Sequence, residues 1–141
     1  MVETHEVDLI APDGTRKRGI FYIGRVHQLE LEHSDEVLFA DTDNGYPDFF
    51  EALCIIRRQL ETRGILVACY GVSRNVYPSA MCRDMRRGLR AYKLVKGQNG
   101  KQEDLVSIFD FGADVEPATV DEQRKFWKEW LQSIGIVRRP S

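Results

Sequence analysis

Cysteine is scarce in this chain of 141 residues, with only Cys54, Cys69 and Cys82 present. Their number is odd, their gaps are wide and no Cys-x-x-Cys occurs, so a disulfide framework is excluded and a structural zinc has no paired close ligands. His5, His27 and His33 lie far from them in sequence. Each cysteine stands among apolar neighbours, which predicts buried, reduced thiols. A catalytic Cys–His pair would have to meet in space, and it has no local signature here. No apolar run approaches the roughly 18–20 residues that span a bilayer. The opening residues, MVETHEVDLI, lack the basic, apolar and small-residue order of a secretory signal, and the expected location is cytoplasmic. No P-loop, GxGxxG, HExxH or GxSxG is present, nor any repeat or low-complexity linker. Neither a cofactor nor a metal is expected.

What is present fits one globular domain. Hydrophobic residues make up 43% and charged residues 30% of the chain, and 141 residues suffice to bury a core without staples. The expected domain covers 1–136, followed by a flexible tail at 137–141. A proline–glycine turn, Pro12-Asp13-Gly14, joins apolar runs at 5–11 and 19–24 into a hairpin. Residues 26–32 carry a weak strand alternation, and 36–40 a clearer one.

A helix is expected over 46–63. Pro47 suits its first position, and Phe49, Leu53, Ile56 and Leu60 form one buried stripe. Glu51, Arg57, Arg58 and Glu61 read as its solvated face. The apolar run 65–70 reads as a central strand covered on both sides, and 90–96 with 105–111 as a second hairpin turning at 97–100. Thr119 and Glu122 form a capping box for a helix over 120–134, with Val120, Trp127, Trp130, Leu131 and Ile134 on its apolar face. This order predicts an α+β domain: an antiparallel or mixed sheet with two long helices on one face.

Tempting motifs fail on spacing. Asp41-Thr42-Asp43-Asn44-Gly45 evokes a calcium loop, but Gly45 stands fifth rather than sixth, and Ala52 occupies the twelfth position that needs glutamate. Asp110 with Asp114, and Glu103 with Asp104, lack glycosidase context and read as exposed loop acids.

Charge singles out one segment. The chain has a formal net charge of −2, yet residues 74–101 hold eight basic side chains against Asp84 alone. Within 74–92 (RNVYPSAMCRDMRRGLRAY) stand five arginines, three sulfur side chains and two tyrosines. Ser79 is placed to cap a helix over 80–87 that ends at Gly88. Met81, Cys82 and Met85 would anchor it on the core, and Asp84 would pair with Arg87 one turn on. The plain reading is a short amphipathic helix with solvated arginines. The sharper one is a recognition surface in which Arg74, Arg83, Arg86, Arg87 and Arg90 meet carboxylates or phosphates, flanked by Tyr77 and Tyr92.

The run Arg74-Asn75-Val76-Tyr77-Pro78-Ser79-Ala80-Met81, with Arg83-Asp84-Met85, Gly88, Ala91 and Tyr92, resembles small uncharacterised bacterial α+β proteins. In size and class the chain is also similar to toxin-immunity proteins. Neither resemblance carries a catalytic residue.

Three functions follow. The first is a non-catalytic module, of immunity or regulatory type, that binds an acidic protein partner through the arginine surface. The second is a nucleic-acid or phosphorylated-ligand binder using the same residues. The third is a small enzyme with Cys82 or Asp84 beside an arginine-lined pocket.

Overall fold

The Pro12-Asp13-Gly14 turn closes as its sequence requires. Gly14 adopts φ +86°, its amide donates to the Ala11 carbonyl at 2.9 Å, and the Asp13 carboxylate accepts from the Thr15 amide and hydroxyl. The fold is that of a computed structural model, described for residues 3–24, 28–41 and 48–135. The turn joins β1 (Glu3–Ile10) to β2 (Arg16–Ile23), and β3 (Gln28–His33) and β4 (Glu36–Asp41) continue the meander. With β5 (Leu66–Ala68) they form an antiparallel sheet in the order β4-β3-β2-β1-β5. The inner face follows the period of two: Val7, Leu9, Phe21, Ile23, Leu29, Leu31, Leu38 and Ala40 are buried. β2 begins before the expected apolar run because its basic start pairs with acids of β1, Arg18 with Glu6 at 2.9 Å and Arg16 with Asp8 at 3.5 Å.

Helix α1 (Phe49–Glu61) covers this sheet through Phe49, Leu53, Ile56 and Leu60. Its cap is Asp48, which accepts from the Glu51 amide at 3.1 Å. The helix thus starts later than the expected 46; Tyr46, Pro47 and the turn residues 42–45 lie outside the described set, as do Val26 and the tail. One side chain overturns the expected solvated face, because Arg57 is only 2% exposed.

The run 65–70 is likewise not a central strand. β5 pairs only with β1 at the sheet edge, and Tyr70–Val72 turns into a 3-10 helix. The chain past β5 is covered because the Tyr70 amide donates to Asp110 and the Gly71 amide to Ile108, both at 2.8 Å. These bonds end the expected hairpin at Ile108, whose amide still donates to the Leu89 carbonyl at 3.1 Å. That hairpin survives in a shorter form as β7 (Arg90–Lys93) and β8 (Leu105–Ser107), joined to β6 (Val76–Tyr77) in a separate three-stranded sheet ordered β6-β7-β8. Helix α3 (Val120–Ser133) packs on β6 and on α1. Its capping box is complete: the Thr119 hydroxyl accepts from the Glu122 amide at 3.1 Å, and the Glu122 carboxylate from the Thr119 amide at 2.9 Å. The result is an α+β fold with two antiparallel sheets where the sequence suggested one.

The buried Arg57 explains how the two halves meet. Its guanidinium donates to Gln123 Oε1 at 2.6 Å, to the Ala118 carbonyl at 2.9 Å and, at 3.4 Å, to the Gly71 carbonyl. Gln123 Nε2 in turn donates to the carbonyls of Gly71, Ser73 and Val76 at 2.8–2.9 Å. The pair therefore satisfies carbonyls of the segment from Gly71 to Val76 and of Ala118, where the chain passes between the two sheets. Burial pushes the Arg57 pKa below its ordinary value, against the opposing pull of Cys54 and Glu61.

Candidate functional site

Helix α2 (Ala80–Met85) has only six residues, so one side chain decides its docking. That residue is Cys82, 3% exposed, whose amide donates to the Ser79 cap at 3.1 Å. Met81 and Met85 share a neighbouring face and are 70% and 78% exposed, so the expected sulfur anchor reduces to Cys82 alone. The inward place goes to Arg83 because α1 offers it carboxylates, Asp48 at 2.7 Å and Glu51 at 3.8 Å. The Arg83 guanidinium also lies 5.1 Å from the Phe50 ring centroid and 5.6 Å from that of Tyr77. Burial works against its charge, but the Asp48 bond and the neighbouring carboxylates outweigh that and hold its pKa above the ordinary value.

The end of α2 removes the expected Asp84–Arg87 pair. Arg86 caps the helix, Arg87 swings to φ +55°, and Gly88 follows at φ +69°. Helical spacing is lost there, and Asp84 makes no ion pair among the described residues. Arg87 instead gives its carbonyl to the Phe49 amide at 2.8 Å, tying α2 to the start of α1. A Cβ on Gly88 would collide with Asp48 Oδ1 and stand 2.9 Å from the Phe50 amide nitrogen, so glycine is required on both counts.

The five arginines therefore do not converge. Arg74 lies on another flank of α3, 3.4 Å from Glu116 and 5.1 Å from the Phe126 ring. Arg87 lies over Phe49, at 5.8 Å. Arg86 and Arg90 are exposed and form no ion pair among the described residues. Arg74 lines a separate, smaller hollow of about 180 Å³ with Glu122, Lys125, Phe126 and Glu129, and of the five Arg83 alone lines the concavity beside Tyr77.

That concavity is double. Tyr77 is stacked on Trp127, with ring centroids 4.5 Å apart and planes 16° apart, and meets Phe50 edge-on at 5.2 Å. On one side of this stack a hollow of about 500 Å³ is lined by Arg83, Arg124 and Lys128. On the other side a groove of about 340 Å³ is lined by Tyr92, Leu94, Met81, Ser79, Gly100 and Trp130. Tyr77, Pro78 and Trp127 form the wall common to both. Trp130 fixes the far rim, since its indole N–H donates to the carbonyls of Val95 and Gln98 at 3.1 and 2.9 Å. Among the described residues Arg124 has one distant ion-pair partner, Glu51 at 3.9 Å, and Lys128 is exposed with none. Cationic capacity remains available beside an apolar shelf, which suits an anion carried next to an apolar group.

Sequence reasoning placed Tyr77, Tyr92 and Arg83 on the binding surface, and gave Ser79 and Met81 only supporting parts, as helix cap and core anchor. It missed Arg124 and Lys128, and it assigned Trp127 and Trp130 to the core. The four-residue step from Arg124 to Lys128 does mark one helix flank, but the spacing does not reveal what that flank faces.

Other chemistry-bearing groups lie apart. Tyr70 donates to Asp114 at 2.6 Å and Lys93 reaches the same carboxylate at 2.8 Å. These two bonds hold the Asp114 pKa below the usual carboxylate range. Burial pushes the Cys69 thiol up to about 12 and raises that of Cys54, which opposes thiolate formation at both. Among the described residues no three His, Cys, Asp or Glu side chains are grouped to hold a metal ion, and no helix is long and apolar enough to cross a membrane. The chain matches no protein-family model and no curated protein, so its function is read from this geometry.

Proposed function

We propose that the chain is a non-catalytic protein-binding module that takes an acidic segment of a partner into the double concavity around the Tyr77–Trp127 stack. It works as one α+β domain, with α1 and α3 as a single helical layer, in the bacterial cytoplasm and in an immunity or regulatory role. An apolar side chain of the partner occupies the groove beside Tyr92 and Trp130, and its carboxylates meet Arg124 and Lys128, with Arg83 as the pre-oriented inner cation. The observation that carries this reading is the shared wall, which joins an apolar groove to a basic hollow. The nucleic-acid alternative is weaker. Tyr77 spends one ring face on Trp127, and Arg74, Arg86, Arg87 and Arg90 do not line a continuous track for a phosphate backbone.

The test is capture from native cells at physiological salt by the immobilised chain and by two charge-reversed variants. A partner bearing an acidic segment is expected to bind and to be lost on Arg124→Glu with Lys128→Glu. It should be kept on Arg86→Glu with Arg90→Glu. Absence of any retained partner, or equal retention by both variants, would overturn the proposal.

A further inference from the structure

We infer that the chain pairs with a second copy of itself along the outer edge of β4, joining two five-stranded sheets into one. This inference uses residues remote from the Tyr77–Trp127 concavity and does not depend on its ligand.

β4 is the last strand of its sheet, and among the described residues nothing pairs with its outer side. Its sequence, EVLFAD, holds no proline, glycine or lysine, the usual guards of an exposed edge. It presents Val37 and Phe39 to solvent, 53% and 57% exposed, where a solvated face calls for polar side chains. A third exposed apolar residue lies on the other face of the sheet, in the helical layer. Ile55 is 40% exposed and stands two positions from Arg57, about 200° around the helix. Arg57 faces α3, which lies toward the β5 end, so Ile55 falls on the flank toward β4. The other end of the sheet is not open in this way, because the chain leaving β5 bonds to Asp110 and Ile108.

The pairing has a definite register. Ser34 and Asp35, at φ 46° and 62°, form a two-residue turn that closes on the His33–Glu36 pair. Such a turn closes on a doubly hydrogen-bonded pair. Glu36, Leu38 and Ala40 therefore direct their backbone groups to β3, while Val37, Phe39 and Asp41 direct theirs outward. An antiparallel dyad at Leu38 sets Val37 opposite Phe39 of the second copy, and Phe39 opposite its Val37. The outward amides and carbonyls then satisfy each other, and two apolar pairs form on one face. The pleat keeps both α1 helices on the same side, where the Ile55 flanks approach. A dyad at Phe39 would instead set Val37 against the carboxylate of Asp41, and a dyad at Val37 would set Phe39 against Asp35. The dyad at Leu38 keeps these acids off the apolar pairs and sets Asp41 opposite Asp35 of the second copy at each end, a like-charge cost that weakens the dimer. The self-pairing is two-fold and closed, so it stops at a dimer. A six-residue edge with three apolar side chains per copy lies near or below the roughly 1,200 Å² lower end of stable interfaces, which calls for a weak, concentration-dependent dimer.

Sedimentation of the full chain from low micromolar to near-millimolar concentration tests this, with circular dichroism to verify folding. A reversible monomer–dimer equilibrium is expected, weakened about tenfold or more by Val37→Lys and by Phe39→Lys. Both sites are over half exposed, so either variant should fold and suffices alone. Hydrogen exchange should show the Val37 and Phe39 amides protected only at high concentration, with Leu38 unchanged. A monomer throughout the range overturns the inference. So does a dimer indifferent to the lysines, or one abolished instead by Met81→Lys with Met85→Lys.

Discussion

Replacing Gln123 by leucine tests whether the two halves of the fold are fastened by one buried polar pair. The side chain is 1% exposed and leucine is close to it in size, so the change deletes hydrogen bonds with little change in volume. Arg57, itself 2% exposed, loses its shortest bond, the 2.6 Å contact to Oε1. A buried charge-assisted bond of this kind contributes about 1.5–3 kcal/mol. The carbonyls released by Nε2 lose less. Gly71 keeps Arg57 at 3.4 Å and Ser73 keeps the Val76 amide at 3.1 Å, so the loss falls mainly on the Val76 carbonyl and adds about 1 kcal/mol. The total is about 3 kcal/mol, or roughly 10 °C in Tm for a domain of this size. Urea unfolding followed by tryptophan fluorescence is the assay, because Trp127 and Trp130 lie on the same helix as Gln123. The double variant Arg57→Met with Gln123→Leu removes the stranded charge as well, and it should be more stable than the sum of the two single losses. A Gln123→Leu loss under about 0.5 kcal/mol, or strict additivity in the double variant, would refute the reasoning.

Three further outcomes are expected. Gly88→Ala combines a left-handed backbone cost of about 1–2 kcal/mol with a collision at the α1 start, so its urea midpoint should fall well below that of Arg86→Ala, an exposed neighbour. Glu36, Asp114 and Glu122 are held below their ordinary values by hydrogen bonds from Arg63, from Lys93 and Tyr70, and from Thr119 respectively. Depressed carboxylates contribute stability that is full above their unfolded values, 4.5 for Glu and 3.8 for Asp, and is lost as pH falls through the folded ones. The urea midpoint should therefore be level from neutrality to about pH 5 and fall below it, and Asp114→Asn should flatten part of that fall. Cys54, Cys69 and Cys82 are all buried, so a thiol-specific reagent should find no fast-reacting group in the folded chain and three after unfolding.

The legible parts of the fold were those governed by neighbours in sequence. The first hairpin follows from Pro12-Asp13-Gly14, and α3 from the Thr119–Glu122 box, because turn chemistry and caps act over two to four residues. The α1 stripe of Phe49, Leu53, Ile56 and Leu60 follows from helical spacing. The apolar run at 65–70 misled because periodicity reports burial and not position in a sheet. Its cover comes from 108–110, some forty residues away.

By itself the sequence determined the α+β class, the location of most elements and the segment on which to look for a binding surface. The tertiary structure alone decided which charges that surface presents. A helix considered in isolation turns its arginines to water and its methionines inward, and Arg57, Arg83, Met81 and Met85 all depart from that rule. Arg57 is buried because Gln123 and two backbone carbonyls, those of Ala118 and Gly71, accept from it between the sheets. Arg83 turns inward because Asp48 and Glu51 stand at the start of α1. Burial of a cation depends on acceptors supplied from elsewhere in the chain, and no local pattern encodes them.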